Sequence, residues 1–248
     1  MAKEGDSADG GSEPPEGAYP VRGDADLEQT ATERRDDTHY WSLDRCRNHY
    51  YIVGSDTVPN LINSPKIAVI GEKSAQFSAQ LGISPTALEE SDLAIFLVSA
   101  NSGIVSADLD QWRLARELYI PSLVAISDLT TSDIDFDDMS AIASKMLDPV
   151  VTPYLVLHDD SGKPAALINL ETLNIHDYSK TPPEIRAADP EHIEVVSEFQ
   201  AEYLEAVEAA GDQSFQAGLL FPALPWIESS AMGMDQIKEL IDQIPSGS

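Results

Sequence analysis

Several groups of residues in this 248-residue chain combine types and spacings that could support chemistry. Lys73-Ser74, within Ile70-Gly71-Glu72-Lys73-Ser74, is the pair best placed to serve a phosphate loop. Such a loop reads G-x-x-x-x-G-K-[ST], because glycines let backbone N–H groups wrap the phosphates while the lysine neutralises them. The two glycine positions hold Ile67 and Glu72, and a glutamate in an anion cradle repels its ligand. A second strand-and-loop candidate, Ile52-Val53-Gly54-Ser55-Asp56-Thr57, carries no Gly-Lys either. Asp133, Asp135, Asp137 and Asp138 alternate like a calcium loop, which needs Gly sixth and Glu twelfth; Asp138 and Ser144 stand there. These carboxylates fit a helix N-terminus better. His39, His49, His158, His176 and His192 have neither i, i+4 spacing nor cysteine partners, which argues against a metal site. His158, beside Asp159, reads as the end of a hairpin strand. Cys46 lies between Arg45 and Arg47, which favour a thiolate, but a single thiol without a base is usually inert. Ser99, Ser127 and Ser230 each follow an apolar run, where a ligand could sit; filling turns is the commoner task of such residues.

Two of those serines need strands to hold them. Residues 93–99 form an apolar run ending in small residues, the pattern of a strand buried on both faces. Residues 106–119 repeat apolar positions at helical spacing (Leu109, Trp112, Leu114-Ala115, Leu118), Pro121 marks the exit, and 122–126 are a second buried strand. Strand, amphipathic helix and strand make a parallel crossover. In such sheets ligands sit beyond the carboxyl ends of the strands, here residues 100–103 and 127–130. Further strands are expected at 49–53 and 66–70, a connecting segment at 84–90, and a helix at 137–147. Beyond Pro149, Asp159-Asp160-Ser161-Gly162-Lys163 joins runs 153–158 and 165–170 as a hairpin, with 173–176 extended and 178–183 a loop. Residues 191–210 predict a long helix with Ile193, Val196, Phe199, Tyr203, Leu204 and Val207 on one face and Gly211 after its end. A strand at 221–227 and a helix at 234–244 close the pattern.

The segment from Asp92 to Phe136 resembles the GTP-binding domain of elongation factor G and its translational GTPase relatives. An acidic residue, an apolar strand, Val98-Ser99-Ala100-Asn101-Ser102-Gly103, Trp112, Pro121 and Asp135-Phe136 stand at the family's offsets. Where the family reads guanine with N-K-x-D, this chain has Ser127-Asp128-Leu129-Thr130. Thr130 cannot accept the bidentate pair that the family's Asp takes from the base. Asp128 puts a carboxylate where an aliphatic cation stem belongs. Losing charge-assisted bonds of this kind costs roughly 1.5–3 kcal/mol each. Ser229-Ser230-Ala231 stands at the family's G-S-A, which backs the guanine, and the helix at 191–210 falls within its insertion subdomain. Ile67-Ala68-Val69-Ile70 also resembles the family's strand leading into D-T-P-G-H; on that alignment Gly71-Glu72-Lys73-Ser74 replaces the γ-phosphate-sensing turn, and its histidine is absent. Residues 49–53 are either a shrunken first strand or the second strand of this core. The likeness runs from about Tyr40 to Pro245 and stops where the family's next domain would begin.

The resemblance implies an α/β fold: a P-loop GTPase-like three-layer sandwich with a mostly parallel sheet, plus an inserted α+β subdomain. Residues 39–150 and 219–245 would form the core and 151–218 the insertion. Residues 1–38, rich in Gly, Pro, Glu, Asp and Ala, have too few large apolar residues to order and are expected to be a disordered acidic tail. Ser127, Asp128, Thr130, Ser229, Ser230 and Ala231 would be vestigial guanine-site positions. Phosphate loop, γ-phosphate turn and guanine reader fail together, so the expected function is a pseudo-GTPase kept as a structural or protein-interaction module, without cofactor. Its partner would be a protein, or the ribosome through a longer chain. The alternative is a working GTPase that binds GTP or GDP with magnesium through atypical motifs; a binder of some other small ligand in the vacated crevice is more remote. Composition bounds both readings. A net charge of −28, from 15 basic and 43 acidic residues, opposes direct nucleic-acid binding, which draws its affinity from Lys and Arg. One cysteine excludes an internal disulfide and fits a reducing compartment. No apolar run reaches membrane-spanning length, so a soluble, cytoplasmic protein is expected.

Overall fold

The computed structural model describes residues 64–246, all within the compact unit that begins at Val58. The acidic segment 1–38, the strand expected at 49–53, the loop candidate at 52–57, Cys46, His39 and His49 lie outside the described residues. The fold is mixed α/β, with a parallel five-stranded sheet flanked by helices and a smaller antiparallel sheet.

The five-stranded sheet has the order β1 (Ile67–Gly71), β2 (Leu93–Ser99), β3 (Ser122–Ser127), β9 (Phe221–Pro225), β4 (Val150–Val151). Every pairing in it is parallel. All residues of β2, β3 and β9 are buried, which is why these strands read as unbroken apolar runs rather than alternating ones. Helix α2 (Ser106–Glu117) makes the β2–β3 crossover and buries Trp112 and Ala115. Trp112 is a core residue: it packs edge-on against Phe96 and Phe221 and donates its indole N–H to Asp148 (2.8 Å). Helix α3 (Phe136–Met146) follows β3, with Asp135 as its N-cap accepting from Asp138 N (2.9 Å). The aspartates that alternate like a calcium loop therefore begin a helix, where the dipole favours carboxylates.

Two prolines sit in β9, which is unusual for an interior strand. Trp226 N–H donates to Ile126 O (2.7 Å). Donors alternate sides along a strand, so Pro225 turns its missing donor toward the β4 side. There β4 has already ended, opposite Pro222.

Between β4 and β9 the chain forms the antiparallel sheet β5 (Tyr154–His158), β6 (Pro164–Asn169), β7 (Asn174–Asp177) and β8 (Glu184–Ala187), and helix α4 (Pro190–Ala210). Alternation governs its two faces. Leu155, Ile168 and Ile175 pack with Val196 of α4, while Tyr154 and Leu167 join the main core. The apolar face expected of α4 is narrower in the structure: Val196 is buried, but Ile193, Phe199 and Leu204 are 38%, 43% and 43% exposed. A short four-stranded sheet covers only the middle of the helical surface. Helix α5 (Met234–Ile241) ends the described fold and buries Met234, Gln236, Ile237 and Ile241. Three elements have no counterpart in the sequence reading: helix α1 (Ser74–Leu81) after β1, the two-residue strand β4, and the edge strand β8.

Candidate functional site

The parallel sheet delivers the ends of β1, β2, β3 and β9 to one edge, and the polar groups there form one connected network. β1 ends in Gly71 with φ 109°, where a Cβ would lie 2.3 Å from Leu97 O of β2, so only glycine fits this close approach. The chain then turns through Glu72 and Lys73, with Lys73 in the left-handed region (φ 65°), and enters α1 directly. Strand, tight turn and helix are the setting of a phosphate loop. The setting is present; its glycines are not.

Lys73 projects across this edge to Asp128, the residue after β3, and its ammonium pairs with Oδ1. Asp128 is also left-handed (φ 64°), a conformation that Asp tolerates better than most side chains. Its Oδ2 accepts from Ser99 Oγ at the end of β2 (2.7 Å) and from Ser127 Oγ (3.3 Å). Ser99 Oγ in turn accepts from the N–H groups of Asn101 (3.2 Å) and Ser102 (3.3 Å), so it shapes the turn after β2. Asp128 O accepts from Thr131 N (3.0 Å) and Ser132 N (3.1 Å), and Ser132 Oγ donates to Ala100 O (3.1 Å). One carboxylate thus ties together the ends of three strands. Burial opposes its ionisation, but the hydrogen bonds from Lys73, Ser99 and Ser127 and the charge of Lys73 outweigh that, holding Asp128 below the usual carboxylate range.

A crevice of about 550 Å3 opens beside this network, lined from β3 by Ser127, Asp128 and Thr130 and from the β9 end by Trp226, Glu228 and Ser229. Its floor is fixed by α1. Trp226 Nε1 donates to Gln80 Oε1 (2.9 Å), Gln80 Nε2 donates to Glu228 O (3.3 Å), and Phe77 meets Trp226 edge-on at 5.0 Å. Of the six positions expected at this site, the structure brings Ser127, Asp128, Thr130 and Ser229 to the crevice. Ser230 and Ala231 fall in the turn behind it: Ser230 Oγ accepts from Met232 N (3.4 Å), and Ala231 is left-handed (φ 55°). Gly233 closes that turn (φ 87°), where a Cβ would overlap Pro225 O at 1.6 Å.

Lys73 is the one cation lining the crevice among the described residues, and Asp128 and Glu228 line it too. Glu72, which accepts from Ser102 Oγ (2.8 Å), adds a carboxylate nearby. The edge can therefore offer hydroxyls and a neutralised lysine, but no excess positive charge. Sequence reasoning considered Lys73 and Asp128 separately and missed that they pair. The three described histidines do not meet: His158 ends β5, His176 on β7 lies 3.3 Å from Gln236 Nε2, and His192 sits beside Asp189 (2.7 Å). Burial holds His176 below its ordinary value, against the nearby charges of Glu239 and Asp235. Among the described residues no group of three or more His, Cys, Asp or Glu comes together as a metal site requires, and no helix is long and apolar enough to cross a membrane.

No protein-family model matches the chain, and no curated protein matches it. Among solved structures, a crystal structure of a protein from Thermus thermophilus matches at 23% identity with a TM-score of 0.57. The match covers 64% of this chain and 27% of that one, so the chain spans about a quarter of that protein's length. At this identity the likeness speaks for the fold.

Proposed function

We propose that this chain is a translation-factor G domain, similar to that of elongation factor G, which has lost its nucleotide and serves as a structural or protein-interaction module. The observation that carries the reading is the pairing of Lys73 with Asp128. In a phosphate loop the lysine must be free to meet the ligand's negative charge. Here that charge is met from within the protein, in a crevice whose other charged groups are carboxylates. Missing glycines at Ile67 and Glu72 and the missing guanine acceptor at Thr130 act in the same direction. Its partner is a protein, or the ribosome reached through neighbouring domains of a longer chain.

Isothermal calorimetry of the purified chain with GTP and with GDP, each with added magnesium, tests the reading. The expected result is no measurable binding. A micromolar Kd, about 8 kcal/mol of binding free energy, would overturn it.

A further inference from the structure

A chain of side-chain hydrogen bonds joins the antiparallel sheet to α5. His176 lies half-buried on β7, on the sheet face that carries Tyr154 and Leu167 into the main core. Leu167 and Ile185 are its cross-strand neighbours, and the Tyr154 ring meets it edge-on at 5.8 Å. From α5 comes Gln236, which is 2% exposed. Tyr178 donates its hydroxyl to Gln236 Oε1 (2.9 Å), which turns the amide N–H groups toward the imidazole, with Nε2 3.3 Å from His176 Nδ1. Nδ1 must therefore accept, so the ring is neutral and carries its proton on Nε2. Two charges reach the ring, Glu239 and Asp235, both on α5, and Asp235 also meets Lys238 (3.5 Å). They favour protonation, but burial outweighs them and holds His176 below its ordinary value. Burial first, then the charge of Glu239, pushes the Tyr154 hydroxyl up to about 12, and burial raises that of Tyr178, so both tyrosines stay neutral.

We propose that Tyr178, Gln236 and His176 form a proton-sensitive latch between the antiparallel sheet and α5, closed while His176 is neutral and released when Nδ1 takes up a proton. A protonated imidazole donates from both nitrogens. Its Nδ1–H would face the amide N–H groups, and Gln236 would have to turn over to offer Oε1 instead. Turned over, the amide presents N–H groups to Tyr178, whose hydroxyl loses the acceptor it now has. Gln236 is buried, so water does not simply replace a bond lost there. The sign of the effect follows from the neutral ring. The folded-state pKa lies below the ordinary value of about 6.5, so the latch's stabilisation is complete above that pH and is lost as pH falls through the folded-state value. The latch shares no residue with the strand-end crevice and does not depend on the reading of that site.

NMR titration of the full chain from neutral to mildly acidic pH tests this. The His176 ring signals should titrate with a midpoint below about 6.5, and the Gln236 side-chain amide and the backbone amides of α5 should shift with that same midpoint. Tyr178→Phe removes the donor that orients Gln236, so the amide can offer its oxygen to the ring. The proton affinity of His176 should then rise about threefold, the worth of one modest hydrogen bond, and the shift in α5 should shrink. Gln236→Met takes away the donor to Nδ1 and should move the midpoint in the same direction, which keeps the test open if Tyr178→Phe does not fold. Both replacements are close in volume, and a role in packing alone would leave the midpoint where it is. A wild-type midpoint at or above the ordinary value, α5 signals that do not follow His176, or an unchanged midpoint in a folded variant would each overturn the inference.

Discussion

Replacing Asp128 with Asn removes the charge paired with Lys73 while keeping an oxygen for Ser99 and Ser127. The geometry sets the scale of the effect. The Asp128 side chain is 13% exposed and that of Lys73 30%, so the pair is neither a surface contact nor fully buried. Exposed pairs contribute up to about 1 kcal/mol, and breaking a buried pair costs about 3–5 kcal/mol. Lys73 can turn toward water once its partner is gone, which moderates the loss. Asp128→Asn should therefore cost about 2 kcal/mol, Lys73→Met about 1.2 kcal/mol, and the double variant about 2 kcal/mol. The difference leaves a coupling energy of about 1.2 kcal/mol, read from urea unfolding of the four proteins at pH 7 with unchanged m-values. The pH dependence has a definite sign. Burial resists ionisation of Asp128, but its hydrogen bonds and the Lys73 charge depress its folded-state pKa. Its stabilisation is thus present above the ordinary carboxylate value of about 3.9 and is lost as pH falls through the depressed one. The gap between wild type and Asp128→Asn should accordingly close in acid. A coupling below about 0.3 kcal/mol would refute the claim that Lys73 is engaged, and with it the observation on which the functional reading rests.

Two further substitutions probe the frame around the crevice. Gly71→Ala forces a Cβ against Leu97 O in a left-handed conformation and should cost about 3 kcal/mol or more by urea unfolding; an unchanged midpoint would mean that β1 does not approach β2 as described. Phe77→Ala removes a fully buried ring that packs on Trp226 and should cost about 3–5 kcal/mol, with a red shift in tryptophan emission as the crevice floor loosens. Wild-type emission together with a wild-type melting temperature would show that α1 does not support β9.

The parts of the fold legible in the sequence are those whose burial leaves a local pattern. β2 and β3 are covered on both faces and read as apolar runs; the β5–β6 hairpin announces itself through Asp159-Asp160-Ser161-Gly162-Lys163. Helix α1 left no such trace, because only Phe77 and Ser78 of its eight residues are buried. β8 is an edge strand whose four residues are all exposed, so no alternation selects a face. α4 was read correctly as a helix, but its apolar residues exceed the surface available to cover them. At the site, the strand-end rule pointed to residues 127–130 because it depends on topology alone, whereas Ser229 came from the likeness of Ser229-Ser230-Ala231 to the family's G-S-A. The Lys73–Asp128 pair was invisible for the opposite reason. It joins residues 55 positions apart and needs both in left-handed turns, which neither propensity nor spacing encodes.

That pair also bears on what the crevice can accept. Parallel strands end at one edge whether or not anything binds there, so the cavity beside β3 and β9 follows from the sheet order. What a phosphate requires is a different matter, because it depends on side chains. A phosphate entering this crevice would have to displace the Asp128 carboxylate from Lys73. It would forfeit the coupling of about 1.2 kcal/mol, close to a tenfold loss in affinity, before any contact of its own is counted. The displaced carboxylate would then stand next to the incoming anion, still held by Ser99 and Ser127, with Glu228 across the crevice. Repulsion at that range is strongest where water is scarce, and Asp128 is the less exposed partner of the pair. Each step disfavours the same ligand. Freeing the lysine alone would not create a phosphate loop, since Ile67 and Glu72 stand at its glycine positions. The strand-end edge is therefore internally neutralised, and its charge balance needs no bound anion.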